Sequence, residues 1–303
     1  MTNEVKNYVQ LHFIVLIWGL TAILGLLINI SALAVVFYRT LFATVILLFL
    51  LYFWKLSFKV SLKEFLKIVG VGLIIGLHWI LFFAAARVST ASVCLVGIAT
   101  CSFWTSLIEP LMSSRKVKIY ELALGVMVVI GLYIIFSVEF QYIEGLIMAI
   151  LAAMLASVFT VLNGKLTHRH NHYVITFYEM MGAFIGSVLL IPLYLFYFDT
   201  EILNFIPYEW DWLYLIILAG ICTVLAFSMS VKVQKVLSAF VVNLTVNLEP
   251  IYGIILAFLI FGEEEKMSLG FYIGTAIILF SVLSYPMVNR IVKRRALQSD
   301  IIR

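Results

Sequence analysis

The sequence predicts an all-α membrane protein of ten transmembrane helices arranged as two inverted five-helix repeats. Three observations carry this. Hydrophobic residues make up 64% of the 303-residue chain and charged residues 12%, outside the range of soluble domains. The apolar residues fall into ten near-continuous runs, at about 11–29, 33–54, 65–86, 88–111, 121–137, 143–163, 173–198, 212–231, 237–261 and 268–288, each able to cross a hydrocarbon core of about 30 Å. Finally, all but three of the 20 basic residues fall on one side when sides are counted from a cytoplasmic N-terminus; the exceptions are Arg39, Arg87 and Lys266. That is the positive-inside pattern, with both termini cytoplasmic and a multi-pass chain in the cell inner membrane.

Only helices and closed barrels satisfy every backbone N–H and C=O in lipid. The runs are continuous rather than alternating, so helices are expected. The first run continues through Trp18 and Asn29 without a small-x-small cleavage site, so it reads as a retained helix rather than a signal peptide. The second holds Arg39 and is followed by Lys55, Lys59 and Lys63. The third holds Gly72-xxx-Gly76 and the pair His78-Trp79. The fourth contains Thr100-Cys101, Trp104 and Glu109-Pro110, and Arg115, Lys116 and Lys118 follow it. The seventh holds Glu179, the ninth Asn243, Asn247 and Glu249-Pro250, and the tenth Gly270-xxx-Gly274. Both glycine pairs permit close helix approach.

Five runs per half force the second half to enter the membrane upside down. The loops agree with this. Basic Lys55–Lys67 corresponds to the acidic loop Asp199, Glu201, Glu209 and Asp211, and Ser114-Arg115-Lys116 to Glu263-Glu264-Glu265. The repeats are placed at 1–140 and 141–303. Identities between them are sparse: a shift of 140 pairs Phe37-Tyr38 with Phe177-Tyr178, and a shift of 149 pairs Ser89 with Ser238 and Glu249-Pro250 with Thr100-Cys101. Inverted repeats mark many secondary transporters.

Glu249 is the charge that topology does not explain. It lies 14 residues from both Lys235 and Glu263, roughly 21 Å from each flank at 1.5 Å per residue. A carboxylate at that depth is costly and usually faces a bundle interior or water cavity. Pro250 lacks an N–H and so frees the Val246 carbonyl, breaking the helix beside it. Together they suit a proton, a sodium ion or a substrate amine; the structural alternative is a neutral Glu bonded to a neighbouring helix, with Pro250 a simple kink. In a regular helix Thr245, Tyr252 and Gly253 share the face of Glu249, whereas Asn243 and Asn247 lie opposite. Trp18, His78, Trp79 and Trp104 are candidates for an aromatic cavity wall, with packing as the alternative. Arg39 and Glu179 occupy inverted depths, and each is expected either to anchor its own half by bonding carbonyls or to snorkel toward an interface. Cys94, Cys101 and Cys222 show no metal-ligand or disulfide spacing. No Walker loop, GxSxG or HExxH motif is present, so no catalytic residue, metal or cofactor is assigned.

The chain resembles the EamA-type members of the drug/metabolite transporter superfamily. The marks are Leu16-Ile17-Trp18-Gly19, Phe37-Tyr38-Arg39, Ser238-Ala239, Leu248-Glu249-Pro250-Ile251-Tyr252 and Phe261-Gly262-Glu263. The resemblance implies a cavity lined by helices one, three, four, six, eight and nine, with Arg39 and Glu179 on outer helices, and transport of small metabolites such as amino acids without a bound cofactor. In this chain helix four has Thr100-Cys101 in place of the family's proline and Ser114-Arg115 in place of Gly-Glu, which puts symmetric gating by helices four and nine in doubt. The expectation is a secondary transporter, an exporter or exchanger working by alternating access, with a small-molecule substrate and a proton or sodium as coupling ion. It would be a monomer or homodimer in the lipid bilayer, with no nucleic-acid partner. The alternative is a polytopic membrane enzyme acting on lipid-linked substrates.

Overall fold

The computed structural model describes residues 3–113, 118–138, 140–197 and 204–301. Ser114, Arg115 and Lys116 from one loop comparison, and Asp199 and Glu201 from the other, lie outside them. Among the described residues every regular element is helical. Nine segments are long and apolar enough to cross a bilayer, and the remaining run forms a helix with a shorter apolar stretch, Ile119–Ile135.

The first span consists of α1 (Asn3–Trp18) and α2 (Thr21–Leu27). The second is α3 (Ala32–Phe53) and the third α4 (Leu62–Val88). The fourth is α5 (Ala91–Ile98) with α6 (Cys101–Ser113), the fifth α7 (Ile119–Val138), the sixth α8 (Ile143–Leu166) and the seventh α9 (His172–Tyr197). The eighth runs from α10 (Asp211–Ile217) through a π-helical stretch (Leu218–Leu225) into α11 (Ala226–Val233). The ninth is α12 (Ala239–Val246) with α13 (Glu249–Phe261), and the tenth is α14 (Leu269–Ile301). Ser31, Ser61, Thr90 and Ser238 cap helix starts, each hydroxyl accepting the backbone N–H three residues on.

A break is expected in span nine at Pro250 and continuous helices elsewhere; spans one and four are broken as well as span nine, and span eight is widened. Each break disposes of its freed carbonyls locally. Thr21 donates to the Trp18 carbonyl at 2.6 Å and Thr100 to the Gly97 carbonyl at 2.8 Å. Pro250 stands in the first turn of α13, where a missing N–H costs nothing.

Helices four and nine are broken at equivalent places. α5 and α12 are both 8 residues long, and α6 and α13 are both 13. Thr90 and Ser238 are the equivalent caps, so the register here is 148 rather than 149. Glu249-Pro250 therefore corresponds to Cys101-Ser102, not to Thr100-Cys101. The proline expected to mark the break in span four is unnecessary because Thr100 performs the capping.

Packing follows the repeat. Span three packs on spans six and seven, and its counterpart, span eight, packs on spans one and two. Spans two and seven, four and nine, and five and ten pack on each other. Both glycine pairs lie in such contacts. A Cβ on Gly72 would strike the Glu179 carbonyl, and one on Gly274 would strike the Gly131 carbonyl. At the lysine-bearing end Glu64 meets Lys67, Arg169 and His170 at 2.9–3.4 Å. At the other end Arg87 donates to the carbonyls of Gly25, Ile28 and Ile30 at 2.9–3.3 Å, and Asp211 accepts the backbone N–H groups of Asn29 and Tyr208 at 3.0 and 3.1 Å. The arginine ties up carbonyls at and just beyond the end of α2, and the aspartate holds the loop after α2 to the loop before α10.

Candidate functional site

The breaks surround a cavity of about 70 Å³, room for a few water molecules. All six spans named by the resemblance reach it. The second span reaches it as well, through Arg39. Of the expected residues, Trp18, His78, Trp79, Asn243 and Glu249 line this cavity; Asn247, Tyr252 and Trp104 do not.

Arg39 departs from its expected place on an outer helix. Its side chain is 2% exposed; Nε donates to Thr223 Oγ1 at 2.7 Å and its guanidinium carbon lies 3.9 Å from the Trp79 ring centroid. That distance is within the cation–π range. The π-helical turn makes the contact: Thr223 donates its own hydroxyl to the Leu218 carbonyl five residues back at 2.8 Å and accepts the arginine. Such wide turns recur at functional sites. Trp18 Nε1 donates to the Cys222 carbonyl of the same turn at 3.1 Å.

Glu249 opens α13 and is 4% exposed. It lies beyond ion-pair contact with Arg39 but within its electrostatic reach, and within that of Cys101. The cavity thus holds one carboxylate and one guanidinium. Between them stand aromatic walls. Phe227 sits 5.9 Å from Trp79 and 6.1 Å from Phe159 between ring centroids, and His78 packs edge-on against Phe159 at 5.3 Å. His78 Nδ1 is 2.8 Å from the Ala152 carbonyl. A carbonyl only accepts, so Nδ1 carries a proton. Phe159, Phe227 and Thr223 were not legible as site residues, since they are ordinary members of apolar runs.

The break in span nine also changes the predicted faces. Asn243, expected opposite Glu249, lines the same cavity because the chain turns at Asn247 and Leu248. Asn243 donates to Thr105 Oγ1 at 2.7 Å, and its Oδ1 lies 3.2 Å from Thr160 Oγ1, whose one proton is shared with the nearer Ala156 carbonyl at 2.7 Å. Asn247 donates to Ser102 Oγ at 2.6 Å. The two asparagines therefore join α12 and its end to α6. Tyr252 packs on the break in span one, where a Cβ on Gly19 would lie 3.0 Å from the Tyr252 Cβ. Trp104 is half-buried and stacks edge-on against Phe103 at 5.3 Å.

A wider cavity of about 610 Å³ opens at the lysine-bearing end, beside Lys165, His168 and Lys235. Glu109 lines it and accepts the Phe240 N–H at 3.2 Å in the first turn of α12. Thr160 and Asn243 line the inner cavity, and Val161 and Ala239 line the outer one. The Thr105–Asn243–Thr160 link lies where the two approach. Glu179 is on neither; it is sealed between α4, α8 and α9.

The model of the EamA-like transporter family matches residues 8–137 and, a second time, residues 143–285. No curated protein sequence matches the chain. A solved structure titled "Crystal structure of protein" aligns over 92% of this chain and 96% of its own, with a TM-score of 0.67 and 12% identity. At that identity the likeness speaks for the fold alone.

Proposed function

We propose a secondary transporter of small metabolites: the chain belongs to the EamA-like transporter family, whose members are membrane transporters. The observation that carries the finer reading is the pairing of Arg39 with Glu249 in one aromatic-walled cavity. A guanidinium suits a substrate carboxylate and a carboxylate suits a substrate amine. A small zwitterion such as an amino acid or a related compound satisfies both, and the rings shield its apolar part.

In this reading the two repeats rock about the cavity, giving access from each side in turn. The wide vestibule is the path from the lysine-bearing face, which the positive-inside rule assigns to the cytoplasm of an inner-membrane protein. The substrate must favour each facing state in turn. Glu249 either receives the substrate amine or carries the coupling proton or sodium ion. An enzyme acting on lipid-linked substrates would need catalytic groups converging at one membrane face. The polar groups here meet in mid-bundle instead.

The test is counterflow of labelled amino acids in proteoliposomes, with wild type and Glu249→Gln reconstituted at equal density across a range of pH. Transport is expected to weaken, or its pH dependence to change, in the variant. Equal transport at every pH would remove Glu249 from the mechanism.

A further inference from the structure

Glu179 stands at the seventh-span position equivalent to Arg39 in the second, each following a Phe-Tyr pair. The two sit in reciprocal contacts: Arg39 between spans two and eight, Glu179 between spans seven and three. Their surroundings differ. Arg39 faces the cavity, on the side where span one is broken and span eight is widened. Glu179 is 0% exposed, on the side where the counterparts α8 and α4 are continuous.

Neither carboxylate oxygen of Glu179 has a partner at full hydrogen-bond geometry among the described residues. The side chain close enough to bond it is Asn163 of α8, also 0% exposed, whose amide has no other partner among the described residues. From α4 it faces Gly72, whose missing side chain lets the two backbones touch. Among the described residues no charged side chain from α3, α4, α8 or α11 acts on it. Glu64 and Lys67 of α4 and Arg169 and His170 after α8 are engaged with each other at the helix ends, and Arg39 of α3 is bound to Thr223.

We propose that Glu179, with Asn163, is a second intramembrane proton-binding site, sealed in this conformation and opened to the cavity in the conformation of opposite access. An inverted repeat reaches its opposite-facing state when the halves exchange their local arrangements. Spans three and six would then take the irregular form that spans eight and one have here, and Glu179 would come to the position Arg39 now holds. The sealed site holds the neutral acid, because an ionised carboxylate without a cation is costly to enclose. The proton leaves when the site meets water. The chemistry favours a proton over a metal cation: α8 and α9 are regular around Glu179 and the proline of α9, Pro192, lies more than three turns away, so no backbone carbonyl is freed beside the carboxylate, and three side-chain oxygens fall short of the shell that a hard cation needs.

The inference rests on the transporter reading, yet its test is separate from counterflow. Purified protein in liposomes is treated with dicyclohexylcarbodiimide, an apolar reagent that adds to protonated carboxyl groups, at a series of pH values. The adducts are then mapped by mass spectrometry. Glu179 is expected to be labelled, with labelling falling roughly tenfold per pH unit beyond its titration point, as for any single acid. The reading uses the wild-type chain, so it does not depend on a variant folding. Labelling that does not change with pH would mark a permanent structural acid and overturn the proposal. So would an unlabelled Glu179, whatever the labelling of Glu249. A loss of counterflow would instead count against the transporter reading.

Discussion

Cys101 and Glu249 stand first in the second halves of two matched broken helices, 148 positions apart, and both face the central cavity. One side chain is a small thiol and the other a carboxylate. The repeat therefore supplies a symmetric frame and an asymmetric site. Cys101 Sγ donates to the Ala153 carbonyl and approaches Ser157 Oγ, both at 3.4 Å, which holds it to span six. Exchanging the pair, as Cys101→Asp with Glu249→Cys, moves the carboxylate to the other repeat. The exchanged protein is expected to keep the fold, read by its melting temperature in detergent, and to lose counterflow.

Arg39 binds Thr223 through Nε and lies over Trp79. Lysine keeps the charge but has neither the fork nor the flat face. Arg39→Lys is therefore expected to destabilise the protein by about 2 kcal/mol, the worth of one charged hydrogen bond. Trp79→Phe, which weakens only the ring contact, should cost about 1 kcal/mol. Thermal unfolding of the purified variants measures both.

Asn243 ties α12 to α6 and α8 near the approach of the two cavities. The Thr105 hydroxyl, which accepts from Asn243, donates to the Cys101 carbonyl, and the Thr160 proton has the Ala156 carbonyl of its own helix at 2.7 Å, so neither hydroxyl is stranded when the asparagine is lost. Asn243→Leu should cost only about 1 kcal/mol, in the range of measured interhelical bonds in membranes. Its larger effect is expected on counterflow, because the polar link between cavity and vestibule is removed.

Gly72 and Gly70 make a matched pair of controls on α4. A Cβ at Gly72 meets the Glu179 carbonyl, whereas one at Gly70 meets nothing within 4 Å. Gly72→Ala is expected to cost about 2 kcal/mol through forced backbone movement. Gly70→Ala should be neutral or stabilising, by up to about 1 kcal/mol of helix propensity. Equal melting temperatures for the two variants would contradict the close contact of α4 and α9.

Outside the spans, the Glu263 carboxylate holds Lys266 above the ordinary lysine range through a bond of 2.9 Å. A raised lysine contributes below its unfolded value and is lost as pH rises through the folded one, so any contribution disappears only in strong alkali. Both side chains are exposed, and such pairs are screened. Lys266→Ala should leave the melting temperature at neutral pH unchanged.

The sequence by itself determined the helical class, the number of spans and the inverted relation of the halves. Those properties depend on length, apolarity and charge, which are local and additive along the chain. It also singled out Glu249, because a carboxylate in the middle of an apolar run has no topological explanation. Tertiary structure decided which side chains meet. The breaks at Gly19, Ala99 and Asn247 depend on hydroxyls and on close neighbours rather than on glycine or proline alone, so the helical faces drawn for span nine were wrong and Asn243 joined Glu249. Arg39 reached the cavity only because a wide turn in span eight presents Thr223 to it. A helix that changes direction at midplane reassigns every face beyond the turn, and no periodicity within a single span carries that information.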